Sequence, residues 1–397
     1  RGLGDVYKRQ THSYSYNGRG ELAADAMSRG GTYSYVYDNI GNRVTSREGS
    51  GASAAAYTAN SLNQYTAITR EEEAPFAPGY DADGNQTKIQ TSTGEWEVSY
   101  NALNQAARFI QGNRRVECRY DYLNRRIEKA VYEGEVLMSK KRFIYHGYLQ
   151  IAELDVANAM ETAMPVLRKT YLWDPLEPVA TRILAMSLFD ETGTWAEDLY
   201  CTHDLLKNTT ALFGIRAGRR ALYEYGPYGN ILRMEGNAAE DNPFRFSSEY
   251  ADDELGLVYY NYRYYNPQNG RWISRDPVIE KQRDNVYTYA YNTPSILIDA
   301  RGQFAFAIAL FNPIGVAVVA AAAVVVAVAT VVVVAEKVID EINSDTADKA
   351  VPETAPIAIP QKPKYGNCSK RRHSELNKEV GRKCKGPSMH CLSLIHI

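Results

Sequence analysis

One motif recurs along the first third of this 397-residue chain at nearly constant spacing, and it limits the fold more than any other feature. Tyr37-Asp38-Asn39-Ile40-Gly41-Asn42-Arg43 sets the pattern: an aromatic residue, Asp or Asn, two variable residues, Gly or Asn, then a polar residue. Copies begin at Tyr16, Tyr80, Tyr100 and Tyr120, with a degenerate copy at Ala59, so neighbouring copies lie 20 to 22 residues apart. Looser copies follow at His203 and Tyr225. Asp or Asn opens a turn by bonding its own backbone two residues on, and Gly or Asn accepts positive φ at the exit. Side chains before each turn alternate: Tyr33, Tyr35 and Tyr37 share one face, as do Trp96, Val98 and Tyr100, and Cys118, Tyr120 and Tyr122. Alternation bounded by turn residues reads as strand and hairpin. Two strands and two turns fit within ~20 residues. A hairpin cannot bury a face alone, so successive copies must stack side by side into a long sheet.

Composition agrees. There are 30 Tyr against 10 Phe and 4 Trp. A Tyr ring packs while its hydroxyl reaches water or a partner, which suits such a sheet and argues against a helix bundle or coiled coil. The net charge of −2 excludes a chain that is strongly basic or acidic as a whole. Cys118 and Cys201 stand alone and Cys368, Cys384 and Cys391 cluster at the end, so the main body is no disulfide scaffold.

Across residues 14–235 these repeats resemble the YD-repeat or Rhs family, whose repeats wind a β-sheet into a hollow shell. The resemblance implies a mainly β fold: a hairpin sheet wound into a partial shell (a β-cocoon) over residues 11–241, closed by a plug. Residues 242–302 resemble the Rhs repeat-associated core domain along nearly their full length. They contain Asn242-Pro243-Phe244-Arg245-Phe246, the run Glu254 to Pro267, Gly270-Arg271-Trp272-Ile273-Ser274-Arg275-Asp276-Pro277, and Asn285 to Asn292. Tyr260, Tyr262 and Tyr264 alternate, as do Tyr287, Tyr289 and Tyr291, and both runs read as strands.

In many members of that family the core domain also cuts the chain just after itself and frees a C-terminal effector inside the shell. Such a cut needs two carboxylates, one ionised to activate a water and one protonated to polarise the scissile carbonyl. The family motif maps these roles onto Asp276 and Asp299, with Arg271 as a neighbour for tuning or orienting them. The cut would fall close to Gly302, Gln303 or Phe304. The usual Asp-Pro-x-Gly-Leu reads here Asp299-Ala300-Arg301-Gly302-Gln303, which departs from the pattern at Pro and Leu. The competing reading is a purely structural plug, with Asp276-Pro277 as a turn and Arg271 packed on Trp272.

After the core the composition changes. Residues 304–335 carry no charge, and Val316 to Ala335 is built only of Val, Ala and Thr. Twenty such residues span a bilayer as a helix. The segment 303–343 therefore reads as a transmembrane-like helical segment: a translocation segment inserted in a target membrane, a stable anchor, or a helix buried on the shell's inner wall. Residues 344–363, with four Pro, read as a linker. Residues 364–391 read as the start of a basic, Cys-containing toxin domain that is truncated. From Lys364 to Lys385 there are eight Lys or Arg against two Glu, which suggests a phosphate-bearing partner such as nucleic acid. His373 is the candidate general base of a nuclease payload, and equally reads as a surface residue. Residues 1–10 and 392–397 resemble non-native sequence appended at the edges of fragmentary gene assemblies. No Gly-rich phosphate loop or His-Glu-x-x-His occurs, so no cofactor and no metal is expected.

The expected function is the encapsulating shell and core of a secreted or surface-exposed bacterial polymorphic toxin used in competition. Its expected partners are its own effector, an immunity protein, the secretion machinery and a target membrane met through 304–335. The alternative is a cell-surface or wall-associated adhesion protein with a membrane anchor and no catalysis.

Overall fold

A computed structural model of the chain describes residues 11–28, 31–71, 73–156, 165–177, 181–277, 285–299, 301–302 and, for the backbone, 305–307. All lie in the first of two compact units, Arg1–Ala323; the second, Val324–Ile397, lies outside the described residues. So do the predicted membrane segment apart from 305–307, the linker, the basic stub with His373, and both ends. Among the described residues no helix is long and apolar enough to cross a membrane.

The repeats form two antiparallel sheets in strict chain order. Strands β1 to β6 cover residues 12–70, and β7 to β20 cover residues 79–235 in a fourteen-stranded sheet. Each motif copy is the turn between two strands. Asp38 Oδ1 accepts the N–H groups of Ile40 at 3.0 Å and Asn42 at 2.8 Å. Asn60, Asn101 and Asp121 accept from the residues two and four further on in the same way. The exit position takes positive φ at Gly41 (83°), Asn63 (62°), Gly84 (84°), Asn104 (58°) and Asn124 (63°), a conformation that Gly and Asn adopt at least cost. The sequence pattern missed a further copy at Asp190, whose Oδ1 accepts from Thr192 and Thr194. No tyrosine heads that turn.

The tyrosines staple each repeat to the one before. The hydroxyls of Tyr37, Tyr100 and Tyr120 donate to the carbonyls of Leu22, Gln86 and Ala106, at 3.0, 2.9 and 2.7 Å. Burial pushes the Tyr100 and Tyr120 hydroxyls well above their ordinary pKa, so they remain donors. A Phe would leave these strand-start carbonyls without that donor. Tyr122 departs from expectation: it belongs to the turn and is 87% exposed, because the strand ends at Tyr120.

The described residues of 242–302 pack on one face of the fourteen-stranded sheet. Phe244, Tyr250, Tyr264 and Trp272 share one hydrophobic core with Trp96, Phe109, Val116 and Leu212 of the wall. This core segment has its own small sheet: β21 (Tyr250–Asp252), β22 (Leu257–Tyr260), β23 (Arg263–Asn266) and β24 (Arg271–Trp272). Strand β25 (Leu297–Asp299) pairs with β26 (Ala305–Ala307). Two expected strands are different. Tyr262 lies in the β22–β23 turn, which reverses the chain between Tyr260 and Arg263. Tyr287 to Asn292 form a turn, an isolated bridge at Thr288 and a 3₁₀ turn at Ala290–Asn292, with Tyr289 buried in the core.

One buried ionic cluster locks wall to core. Arg126 Nη1 lies 2.6 Å from Asp252 Oδ2, and Lys129 Nζ lies 2.6 Å from Asp252 Oδ1 and 2.5 Å from Glu254. Desolvation alone would raise the Asp252 carboxyl. Lys129 and Arg126 overcome it and hold Asp252 below the usual carboxylate range. The Arg126 guanidinium also lies over the rings of Tyr250 and Tyr259, at 4.6 and 4.5 Å.

Candidate active site

The segment after β24 and strand β25 bring Asp276 and Asp299 to the same guanidinium, that of Arg263 on β23. Arg263 Nη2 lies 2.7 Å from Asp276 Oδ2 and 3.4 Å from Asp299 Oδ2. All three side chains are buried. The face of Trp272 lies 4.0 Å from the Arg263 guanidinium carbon. The aspartates inferred from sequence are thus together, and the residue at the ring of Trp272 is Arg263.

Arg271 is not the arginine between them. Its Nη1 donates to the Asn63 carbonyl at 2.8 Å, its Nη2 donates to Asn42 Oδ1, and its guanidinium lies 3.8 Å from the Tyr65 ring centre. Strand β24 aims it at the wall's motif turns, where it ties the core to the first repeats. Sequence reading missed Arg263 because it sits within an alternating run of tyrosines. In the structure it lies on a strand whose every residue is buried.

The segment after β25 folds back onto this cluster. Asp299 Oδ1 accepts the N–H groups of Arg301 at 3.2 Å and Gly302 at 2.8 Å. Arg263 Nε donates to the Gly302 carbonyl at 2.5 Å. Gly302 has φ +76°, and an added Cβ would sit 3.1 Å from Tyr260 Cβ and 3.4 Å from Arg263 Cβ. A side chain here would be both strained in its backbone and crowded against Tyr260, which favours glycine. Gln303 and Phe304 lie outside the described residues.

Burial draws the Arg263 guanidinium below its ordinary pKa, against the opposing pull of Asp276 and Asp299. Glu249 is a third acid here. Desolvation and then Asp299 push its carboxyl well above the usual range, against Lys207 and Arg301. The site therefore combines a buried cation, two carboxylates that share it, a peptide carbonyl held by the same cation, and a nearby acid that favours its proton. Groups whose environments separate their proton affinities are the requirement for acid–base chemistry. Among the described residues no cluster of His, Cys, Asp and Glu is placed to hold a metal ion.

No family model matches the chain. It is 26% identical over 303 residues to the tRNA3(Ser)-specific nuclease WapA of Bacillus spizizenii, which covers 74% of this chain and 12% of the relative. It is 27% identical over 337 residues to the toxin protein Tse5 of Pseudomonas aeruginosa, covering 73% of this chain and 25% of the relative. The crystal structure of TcdB2-TccC3-Cdc42 covers 74% of this chain and 17% of its own, with a TM-score of 0.51 at 18% identity, a likeness of fold. This chain thus spans no more than about a quarter of the length of those relatives. The stapled repeats, the packed core segment and these relatives together make the chain similar to the Rhs or YD-repeat toxins.

Proposed function

We propose that this chain is the container of a bacterial polymorphic toxin and that its core hydrolyses the peptide bond between Gly302 and Gln303, releasing the segment beyond. The observation that carries this reading is the Arg263 guanidinium, shared by Asp276 and Asp299 and hydrogen-bonded to the Gly302 carbonyl. The reaction requires one proton held between the two carboxylates. The ionised member takes a proton from a water as the water oxygen adds to the Gly302 carbonyl carbon. The carbonyl electrons move to its oxygen, where Arg263 already donates. The C–N bond then breaks, and the protonated member supplies the proton to the leaving nitrogen. One water is consumed, and one carboxyl and one amine end are formed.

The relatives' names, a nuclease and a toxin, support a toxic cargo beyond residue 302. The basic stretch 364–385 and His373 suit a nucleic-acid target. The apolar run 304–335 suits passage into a target membrane after secretion. An immunity protein follows as the partner a toxic cargo requires. The second reading, a structural plug without catalysis, is favoured by Ala300 and Gln303, where the family motif has Pro and Leu.

The test is expression of the full chain with a tag at each end, with mass analysis of any new terminus. Cleavage after Gly302 in the wild type, lost in Asp276→Asn and Asp299→Asn, is the expected result. A single intact wild-type band refutes the protease reading and leaves the plug.

A further inference from the structure

Arg301, the neighbour of Gly302 on the side away from the proposed cut, is gripped by the wall. Strands β13 (Val136–His146) and β14 (Leu149–Asp155) meet in a turn that carries Tyr148. The Arg301 guanidinium carbon lies 3.8 Å from the centre of the Tyr148 ring. The Arg301 carbonyl accepts the Tyr262 N–H at 3.2 Å, and its own N–H donates to Asp299. The Tyr148 hydroxyl bonds the Tyr262 hydroxyl at 3.0 Å, and Asn261 Nδ2 donates to the Tyr148 carbonyl at 3.3 Å. Arg125 Nη1 fixes the same wall turn through the Gly147 carbonyl at 2.6 Å. Arg301 also lines a cavity of about 210 Å³ with Tyr148, Trp173, Phe244 and Glu249. Glu249 faces Arg301 electrostatically, and Arg301 lowers its carboxyl against the stronger effects of desolvation and Asp299.

These contacts form a closed circuit from the wall turn, through the β22–β23 turn, to the backbone that bonds Asp299. Arg301 touches none of the reacting atoms through its side chain. We propose that Arg301 is the positioning residue for self-cleavage, and that its stacking on Tyr148 makes the cut conditional on docking of the β13–β14 hairpin against the core. The inference rests on the self-cleavage reading above. It supplies a control: a chain whose wall has not closed on its core holds residues 299–302 loosely and stays uncut. Displacement of a scissile group by about 1 Å is enough to cost on the order of a hundredfold in rate.

Pulse-labelled cell-free synthesis of the full chain with a tag at each end gives the cleavage rate. Arg301→Ala is expected to slow it roughly ten- to hundredfold, and Tyr148→Leu to match it. The double variant should be no slower than either, because both break one contact. Arg301→Lys, which keeps a cation over the ring, should restore most of the rate while leaving the rest of the fold as it is in Arg301→Ala. Wild-type rates in Arg301→Ala, or effects that multiply in the double variant, overturn the clamp alone. An uncut wild type overturns the protease reading and the clamp with it.

Discussion

Removal of the Asp252 carboxylate tests how the core is held in the wall. Asp252 is fully buried and accepts from Arg126 and Lys129, which are buried too. In Asp252→Ala, Lys129 keeps Glu254 at 2.5 Å, whereas Arg126 keeps only the Tyr264 hydroxyl at 3.1 Å and its aromatic faces. A stranded buried charge costs about 3–5 kcal/mol. Those ring faces hold Arg126 in the wild type as well and so offset little of it, and a loss of about 3–5 kcal/mol is expected. Urea denaturation followed by fluorescence reads it, since Trp96 and Trp272 are both buried in the shared core. The companion variant, Asp252→Ala with Arg126→Met, removes both charges and should recover most of the loss. The pH dependence has a fixed sign. Asp252 is lowered in the fold, so its contribution is complete above the unfolded carboxylate value near pH 4 and is lost as pH falls through the lower folded value. The wild type should therefore lose more stability on the acid side than Asp252→Ala does. A single variant within about 0.5 kcal/mol of wild type, or a double variant less stable than the single, refutes the reasoning.

Two other variants probe the repeat and the cut. Tyr120→Phe removes the donor to the buried Ala106 carbonyl and should cost about 1–3 kcal/mol in the same denaturation assay, while Tyr122→Phe, on an exposed ring, should change nothing. Gly302→Ala places a methyl in a left-handed backbone against Tyr260 and should slow the appearance of the cleaved product at least about tenfold on the two-tag gel.

Local physics wrote the wall into the sequence and long-range packing wrote the site. The turns at Asp38, Asn60, Asp81, Asn101 and Asp121 are legible because one side chain bonds its own backbone within four residues. The pairing of Asp276 with Asp299 was reachable only through resemblance to a family, since 22 residues, the 3₁₀ turn at Ala290–Asn292 among them, lie between the two. Arg263 and Arg126 were hidden for another reason. Each is a cation whose partners come from remote strands, and alternation scores it as a solvent-facing residue. Arg271 looked suitable by proximity in sequence to Asp276, but the face of β24 decides where its guanidinium goes. The same face rule explains why Tyr287 to Asn292 looked like a strand. Their alternation reflects burial of Tyr287 and Tyr289 in turns packed on the core.

The hydroxyl staples and the core's anchors differ in reach, and that difference orders assembly in time. Tyr37, Tyr100 and Tyr120 each close a loop of only 14 or 15 residues, back to a segment already synthesised. Arg271, Asn285 and Asn292 bind Asn63, Asn42 and Gly41 across 208 to 251 residues. Short loops close at small entropic cost and long ones at a larger cost, although the increase is slow. A chain emerging from the ribosome can therefore lay down each hairpin on its predecessor as it appears, whereas the anchoring residues arrive last and must find the earliest turns. The core segment is tied to the first repeats only at that late step, and whatever lies beyond residue 302 leaves the ribosome after the residues that make the tie.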